Sequence, residues 1–296
     1  MISYPEGNSL NKSPDKIKEL VADHKKRNPA YENILSFYER IAAEQESFRN
    51  SMSVAPPAVN MDIKRSQMKE GFPLLEKQDF VLDINSSKNL FESICNIARD
   101  ENEKMRENIQ ALEEAVAINA LNIKELLRRF YDDSFIDKVA GEFDIDTAIL
   151  KFLVLESIRP SLTLNVEKIG DQIDLNNWLR GYCPVCGSLP QISFLKDEGK
   201  RSFRCSLCTF EWPSERLKCP FCETRDHKNL HYFYAEGNES HRVDLCENCH
   251  QYIKTVDLRK LGYEPDLAIE DIVTIHLDIL ASEKGYKRPA PGFWGM

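Results

Sequence analysis

No stretch of this 296-residue chain is apolar for long enough to cross a bilayer. The greasiest segment, Ile149-Leu150-Lys151-Phe152-Leu153-Val154-Leu155, is short and carries a lysine, so it reads as a core helix. Positive charge is also scarce: 39 Lys and Arg stand against 48 Asp and Glu, a formal net charge of -9. Nucleic-acid binding draws most of its affinity from Lys and Arg neutralising phosphates, so this balance opposes it, and an anionic membrane surface with it. Arg201, Arg204, Arg216 and Lys218 form a local exception. There is no glycine-rich phosphate loop and no His-Glu-x-x-His motif. His227, His231 and His241 have no Ser, Cys or carboxylate partner at a recognisable catalytic spacing, so no enzyme is expected. The opening residues Met1-Ile2-Ser3-Tyr4-Pro5-Glu6 lack the basic and apolar regions of a secretory signal. The expected compartment is therefore the cytoplasm, where structural disulfides are disfavoured.

Cysteine is what the chain does have. Eight of nine fall into four Cys-x-x-Cys pairs: Cys183/Cys186, Cys205/Cys208, Cys219/Cys222 and Cys246/Cys249. Two residues between thiolates is the spacing at which a tight turn aims both sulfurs at one metal ion, and two such turns close a tetrahedral four-cysteine site. A thioredoxin-like role would need one such pair opening a helix in a βαβ unit, and ferredoxin-type clusters would need three cysteines close together. Neither pattern is present. Each pair of knuckles brackets a candidate hairpin. Gln191-Ile192-Ser193-Phe194-Leu195 alternates at period two, Asp197-Glu198-Gly199-Lys200 turns, and Arg201-Ser202-Phe203-Arg204 returns to Cys205. The pattern repeats from Leu230-His231-Tyr232-Phe233-Tyr234 through Glu236-Gly237-Asn238 to His241-Arg242-Val243-Asp244-Leu245. Sequential pairing follows, giving one metal on Cys183, Cys186, Cys205 and Cys208 and another on Cys219, Cys222, Cys246 and Cys249. Zinc is the default from spacing; iron in the same geometry would be a rubredoxin-type one-electron centre. His250, next to Cys249, is read as lying outside the ligand set.

Before about Asn177 the patterning is helical. Ser13 caps a first helix carrying Ile17, Leu20 and Val21, and Pro29 interrupts it. Tyr31, Ile34, Leu35, Tyr38 and Ile41 mark a second. Residues 51–83 read as irregular. Asn85 or Ser86 then caps a helix with Leu90, Ile94 and Ile97, on whose apolar face Cys95 reads as a buried small hydrophobe. Further helical runs cover Met105 to Ala120, Asn122 to Tyr131, Asp133 to Phe143 and Asp146 to Ile158, the last stopped by Arg159-Pro160. A final helix spans Ile269 to Leu280 and is expected to pack across the ribbons or back on the helical half. The fold class is thus α+β. A helical domain (1–178) precedes two four-cysteine metal ribbons (179–217 and 218–262), a closing helix and tail (263–296).

The flanks of the knuckles are distinctive. They read Trp178-Leu179-Arg180-Gly181-Tyr182-Cys183-Pro184-Val185-Cys186-Gly187-Ser188, then Cys205-Ser206-Leu207-Cys208 with Glu211-Trp212, then Arg216 before Cys219-Pro220-Phe221-Cys222. Arg242 before Cys246-Glu247-Asn248-Cys249-His250 and the tail Leu277-Asp278-Ile279-Leu280-Ala281 follow. With these runs the chain resembles the FdhE family of formate dehydrogenase accessory (formation) proteins. The likeness covers roughly residues 160–290 well; in the first half only Pro73-Leu74-Leu75 and Arg159-Pro160 match. The resemblance implies a helical domain with two rubredoxin-like modules and iron as the metal. It further implies a cytoplasmic maturation role and contact with the molybdenum- or tungsten-containing catalytic subunit of formate dehydrogenase. The expected contact face carries Glu211, Trp212, Arg216 and Arg242, because Trp and Arg beside rigid knuckles anchor interfaces; the competing reading packs Trp212 into the first ribbon. A nucleic-acid-binding zinc ribbon or a general scaffold is the alternative function. One departure from the family is Glu223, where a glycine commonly follows the second cysteine.

Overall fold

The computed structural model describes residues 13–170, 173, 175, 178–290 and 292–293, with only the backbone of residue 61. The compositional break near Asn177 and the opening residues lie outside the described residues. Ser13 caps α1 (Pro14–Arg27) by accepting from the Lys16 N–H, and Pro14 sits in the first turn, where a missing N–H has no helical acceptor to lose. α2 (Glu32–Arg49) buries Leu35, Phe37, Ile41 and Ala42. α4 (Ile84–Arg99) starts slightly upstream of the expected cap, on the Asp83 side chain. α5 (Glu103–Ala117), α6 (Ile123–Arg128) and α7 (Asp133–Glu142) follow, each opened by an Asn or Asp cap. They pack with α8 (Thr147–Ile169) around one large apolar core.

Two features of this half differ from the sequence expectation. α3 (Met61–Glu70) occupies part of the stretch read as irregular; it is bounded by an Asn60 cap and a left-handed Gly71 at its end. The longest helix, α8, also runs through Pro160 rather than stopping there. A proline inside a helix strands the carbonyl four residues earlier, here that of Glu156. Gln45 Nε2 of α2 donates to that carbonyl at 2.8 Å, so the orphaned acceptor is satisfied across the bundle.

The cysteine-bearing half forms one sheet. β1 (Pro190–Lys196), β2 (Lys200–Cys205) and β3 (Glu211–Ser214) make the first antiparallel ribbon. β4 (Leu230–Phe233), β5 (His241–Cys246) and β6 (Gln251–Asp257) make the second. The ribbons join because β1 and β6 pair in parallel, Ser193 opposite Thr255 and Leu195 opposite Asp257, giving the order β3-β2-β1-β6-β5-β4. β6 is buried along nearly its whole length, as a central strand covered on both faces must be.

The single closing helix expected over Ile269 to Leu280 is two, α9 (Leu267–Ile272) and α10 (Ile275–Glu283). They serve both expected destinations. Ile269 and Ile272 of α9 pack with Ile17, Leu20 and Leu35 of the first two helices. Leu277 and Ala281 of α10 pack with Val243, Leu245 and Tyr252 of the second ribbon. Among the described residues no helix is long and apolar enough to cross a membrane.

Candidate metal centres

Four turns build the two sites, and they share one backbone device. The residue following each second cysteine takes a left-handed conformation: Gly187 (φ 73°), Thr209 (59°), Glu223 (60°) and His250 (51°). That turn returns the backbone N–H to the carbonyl of the first cysteine, as seen for Gly187 to Cys183, Glu223 to Cys219 and His250 to Cys246, at 2.9 to 3.1 Å. The first cysteine's sulfur then accepts an N–H from within the turn, from Val185 to Cys183, Leu207 to Cys205 and Phe221 to Cys219, each at 3.4 Å. Amide donors of this kind favour the thiolate form.

The sulfurs of Cys183, Cys186, Cys205 and Cys208 all lie within 4.8 Å of one another, and so do those of Cys219, Cys222, Cys246 and Cys249. Cross-knuckle separations are 3.7 Å (Cys183–Cys208) and 3.4 Å (Cys186–Cys205) in the first set. In the second they are 3.8 Å (Cys219–Cys249) and 3.6 Å (Cys222–Cys246). A tetrahedron with metal–sulfur bonds of about 2.3 Å has edges of about 3.8 Å, so both quartets fit a tetrathiolate ion. Burial pushes the Cys183 and Cys208 thiols well up, whereas at Cys186 burial is overcome by hydrogen bonds from its three partner thiols, which pull it down. At the more open second site Cys222 sits at about 7, burial being outweighed by the Asn248 amide donating to its sulfur at 3.3 Å. A bound cation would hold all four sulfurs of a set as thiolates. The two quartets could each hold one metal ion, and neither leaves an open coordination position for water or substrate.

The sites are set differently into the molecule. Cys183, Cys186, Cys205 and Cys208 are at most 4% exposed and belong to the main helical core together with Val185, Phe210 and Trp212. Leu74 and Leu75 donate their N–H groups to the Pro184 and Val185 carbonyls at 2.8 Å, binding the helical half directly to the first knuckle. In the second site Cys222 and Cys249 are half-buried. Its knuckle leans on the connecting segment instead. Gly181 packs so close to Pro220 that a Cβ there would lie 1.7 Å from the Pro220 carbonyl oxygen. The Gly181 N–H donates to Glu223 Oε1 at 3.2 Å, and Lys218 Nζ lies 3.2 Å from the same oxygen. Glu223 thus occupies the position of a glycine and uses its side chain to tie the second knuckle down.

Of the four residues expected on a partner face, Trp212 is 1% exposed and packs on Phe203, with its Nε1 donating to the Arg180 carbonyl. It is a core residue of the first ribbon, and the surface role expected of it is corrected. Glu211 is half-buried on β3. Arg216 and Arg242 do come together, lining a pocket of about 170 Å³ with Tyr232, Leu217, Cys219 and Cys246. Arg242 lies over the Tyr232 ring and 2.8 Å from Asp244. Tyr232 on β4 and Leu217 in the turn after β3 are 60% and 65% exposed, and nothing in the sequence marks either side chain as exposed rather than buried. His250 is exposed and outside both quartets. His241 is buried against Glu270, not aimed at a metal. Cys95 is buried as expected, its thiol pushed up to about 12 by burial.

A helical bundle carrying a single sheet with two closed tetracysteine knuckle sites defines the class of protein. The FdhE central domain matches residues 182–216 and the FdhE C-terminal domain residues 217–293. The chain is 28% identical over 299 residues to the Protein FdhE homolog of Aquifex aeolicus, spanning 98% of this chain and 99% of that one. It is 35% identical over 114 residues to the homolog of Stutzerimonas stutzeri, covering 37% and 36% of the two chains. Protein FdhE of Escherichia coli is 34% identical over 115 residues, with the same coverage. The crystal structure of the FdhE protein from Pseudomonas aeruginosa shares the fold at a TM-score of 0.71, with 20% identity over 96% of both chains. The chain is thus similar to FdhE proteins, in its cysteine-bearing half to the family's central and C-terminal domains and along nearly its whole length to the Aquifex aeolicus homolog.

Proposed function

We propose that this chain is a non-enzymatic maturation factor for formate dehydrogenase, binding its catalytic subunit in the cytoplasm before assembly. The observation that carries the reading is the pair of closed tetracysteine quartets inside a chain similar to FdhE proteins: ions held there serve structure or electron exchange rather than substrate turnover. The arginines near the cysteines are largely used internally, which favours a protein client over nucleic acid. Arg201, 4% exposed, donates to Ser193, the Lys218 carbonyl and Asp244. The rim formed by Arg216, Arg242, Tyr232 and Leu217 is the proposed client contact. Deleting the gene in its own host is expected to abolish formate-dependent dye reduction, and restoring it to recover that activity; unchanged activity would refute the reading. Co-purification of the catalytic subunit is expected to fail with Arg216→Glu/Arg242→Glu, and its persistence would move the contact elsewhere. If the ions are iron, a redox contribution joins the chaperone role. The visible absorption of anaerobically purified, then oxidised protein separates iron from zinc.

A further inference from the structure

The two quartets differ in how an outside ligand could reach them, and that difference assigns them different work. At the first, every sulfur is at most 4% exposed, and the knuckles are walled by Phe203, Phe210, Trp212 and the Leu74-Leu75 backbone. A cavity of about 400 Å³ touches these knuckles at Ser188, Ser206, Leu207 and Thr209, but none of the four cysteines lines it. At the second, Cys222 and Cys249 reach the surface, and the pocket of about 170 Å³ flanks Cys219 and Cys246 from the other side. None of these four cysteines belongs to a hydrophobic core cluster.

We propose that the first tetracysteine centre is a permanent staple between helical domain and sheet, and that the second is an exchangeable centre, open to an incoming thiol ligand at Cys222 and Cys249. The proposal rests on both quartets binding metal. Exchange at such a site is substitution without redox. One bond forms from the incoming thiolate to the ion, one bond from Cys222 or Cys249 breaks, and the released sulfur takes a proton from solvent. Ions enter or leave through that edge while the first centre keeps the fold. The partner chemistry is that of a thiol-bearing metal donor or acceptor.

Full-length protein reconstituted with zinc at both sites tests this through chelator challenge, with metal release followed by an absorbing chelator. The expected course is biphasic, one ion per chain leaving first and the second slower by roughly tenfold or more, because its release needs sub-global opening. Iodoacetamide added after the fast phase is expected to label Cys219, Cys222, Cys246 and Cys249, with the first quartet and buried Cys95 protected. Cys222→Ser should lose the fast phase and keep one slowly released ion with the helical circular dichroism intact. Since the labelling is done on the unmodified chain, a variant that fails to fold does not decide the matter. A single phase releasing both ions, or labelling of Cys183, Cys186, Cys205 and Cys208 at the same rate, would overturn the division. A starting content below two ions per chain would refute the two-site reading and the proposal with it.

Discussion

Glu223 shows how much one backbone position asks of its side chain. A left-handed conformation costs a non-glycine residue about 1–2 kcal/mol, and Glu223 offsets this through the Gly181 N–H and the Lys218 ammonium. Lys218, 4% exposed, is its buried counter-charge. Glu223→Ala keeps the backbone strain and removes both contacts, so a loss of about 2 kcal/mol is expected. Glu223→Gly removes the strain with the contacts and should fall between wild type and Ala in urea denaturation. An Ala variant as stable as wild type would contradict this account. Gly181 is constrained from outside, since a Cβ would meet the Pro220 carbonyl, backbone that cannot swing away. Gly181→Ala is accordingly expected to loosen the second quartet alone, seen as faster metal release by a chelator with helical content unchanged.

The elements divide by how local their signals are. The cysteine spacing marked the eight sulfurs and their sequential pairing because a knuckle is a local turn. Helices with a strong apolar face were readable for the same reason. What escaped depends on distant partners. Pro160 reads as a stop unless Gln45, more than a hundred residues away in the chain, is known to take over the Glu156 carbonyl. Gln45→Leu should therefore cost about 1–2 kcal/mol. Gln45→Glu, similar in shape but without the donor and facing the Glu156 carboxylate, should cost at least as much by urea midpoint. Equal stability of either variant would show that α8 carries its proline unaided. β6 lacks the alternation of a half-exposed strand because both faces are covered, and that same covering lets it join the two ribbons. α3 had usable caps in Asn60 and Gly71 but too weak an apolar face to announce itself.

At the scale of the whole molecule, one carboxylate gathers three regions. Glu270 of α9, fully buried, lies 3.5 Å from His24 of α1 and 2.7 Å from His241 of β5, and accepts from Tyr263 at 2.8 Å. Burial pushes its pKa up, but the two imidazoles together pull it down from 4.5 to about 2. A carboxylate lowered on folding adds stability above its unfolded pKa and loses it as pH falls through the folded one. The loss is thus expected between about pH 4.5 and pH 2, and totals about 3 kcal/mol. Glu270→Gln cannot titrate there, so its urea midpoint should fall less steeply over that window than that of wild type. Parallel slopes would remove Glu270 as the cause. A second buried network, Lys254 and Arg288 with Asp271 and Asp278, holds α9 and α10 to the sheet centre.

The parallel seam between β1 and β6 also sets an order of events during synthesis. The first ribbon leaves the ribosome with one flank of β1 bare, since Ser193 must wait for Thr255 and everything between them to emerge. A bare strand flank recruits other chains. The second ribbon has to be synthesised and folded back before that flank is covered, so chains halted short of Thr255 are the ones expected to stick to one another.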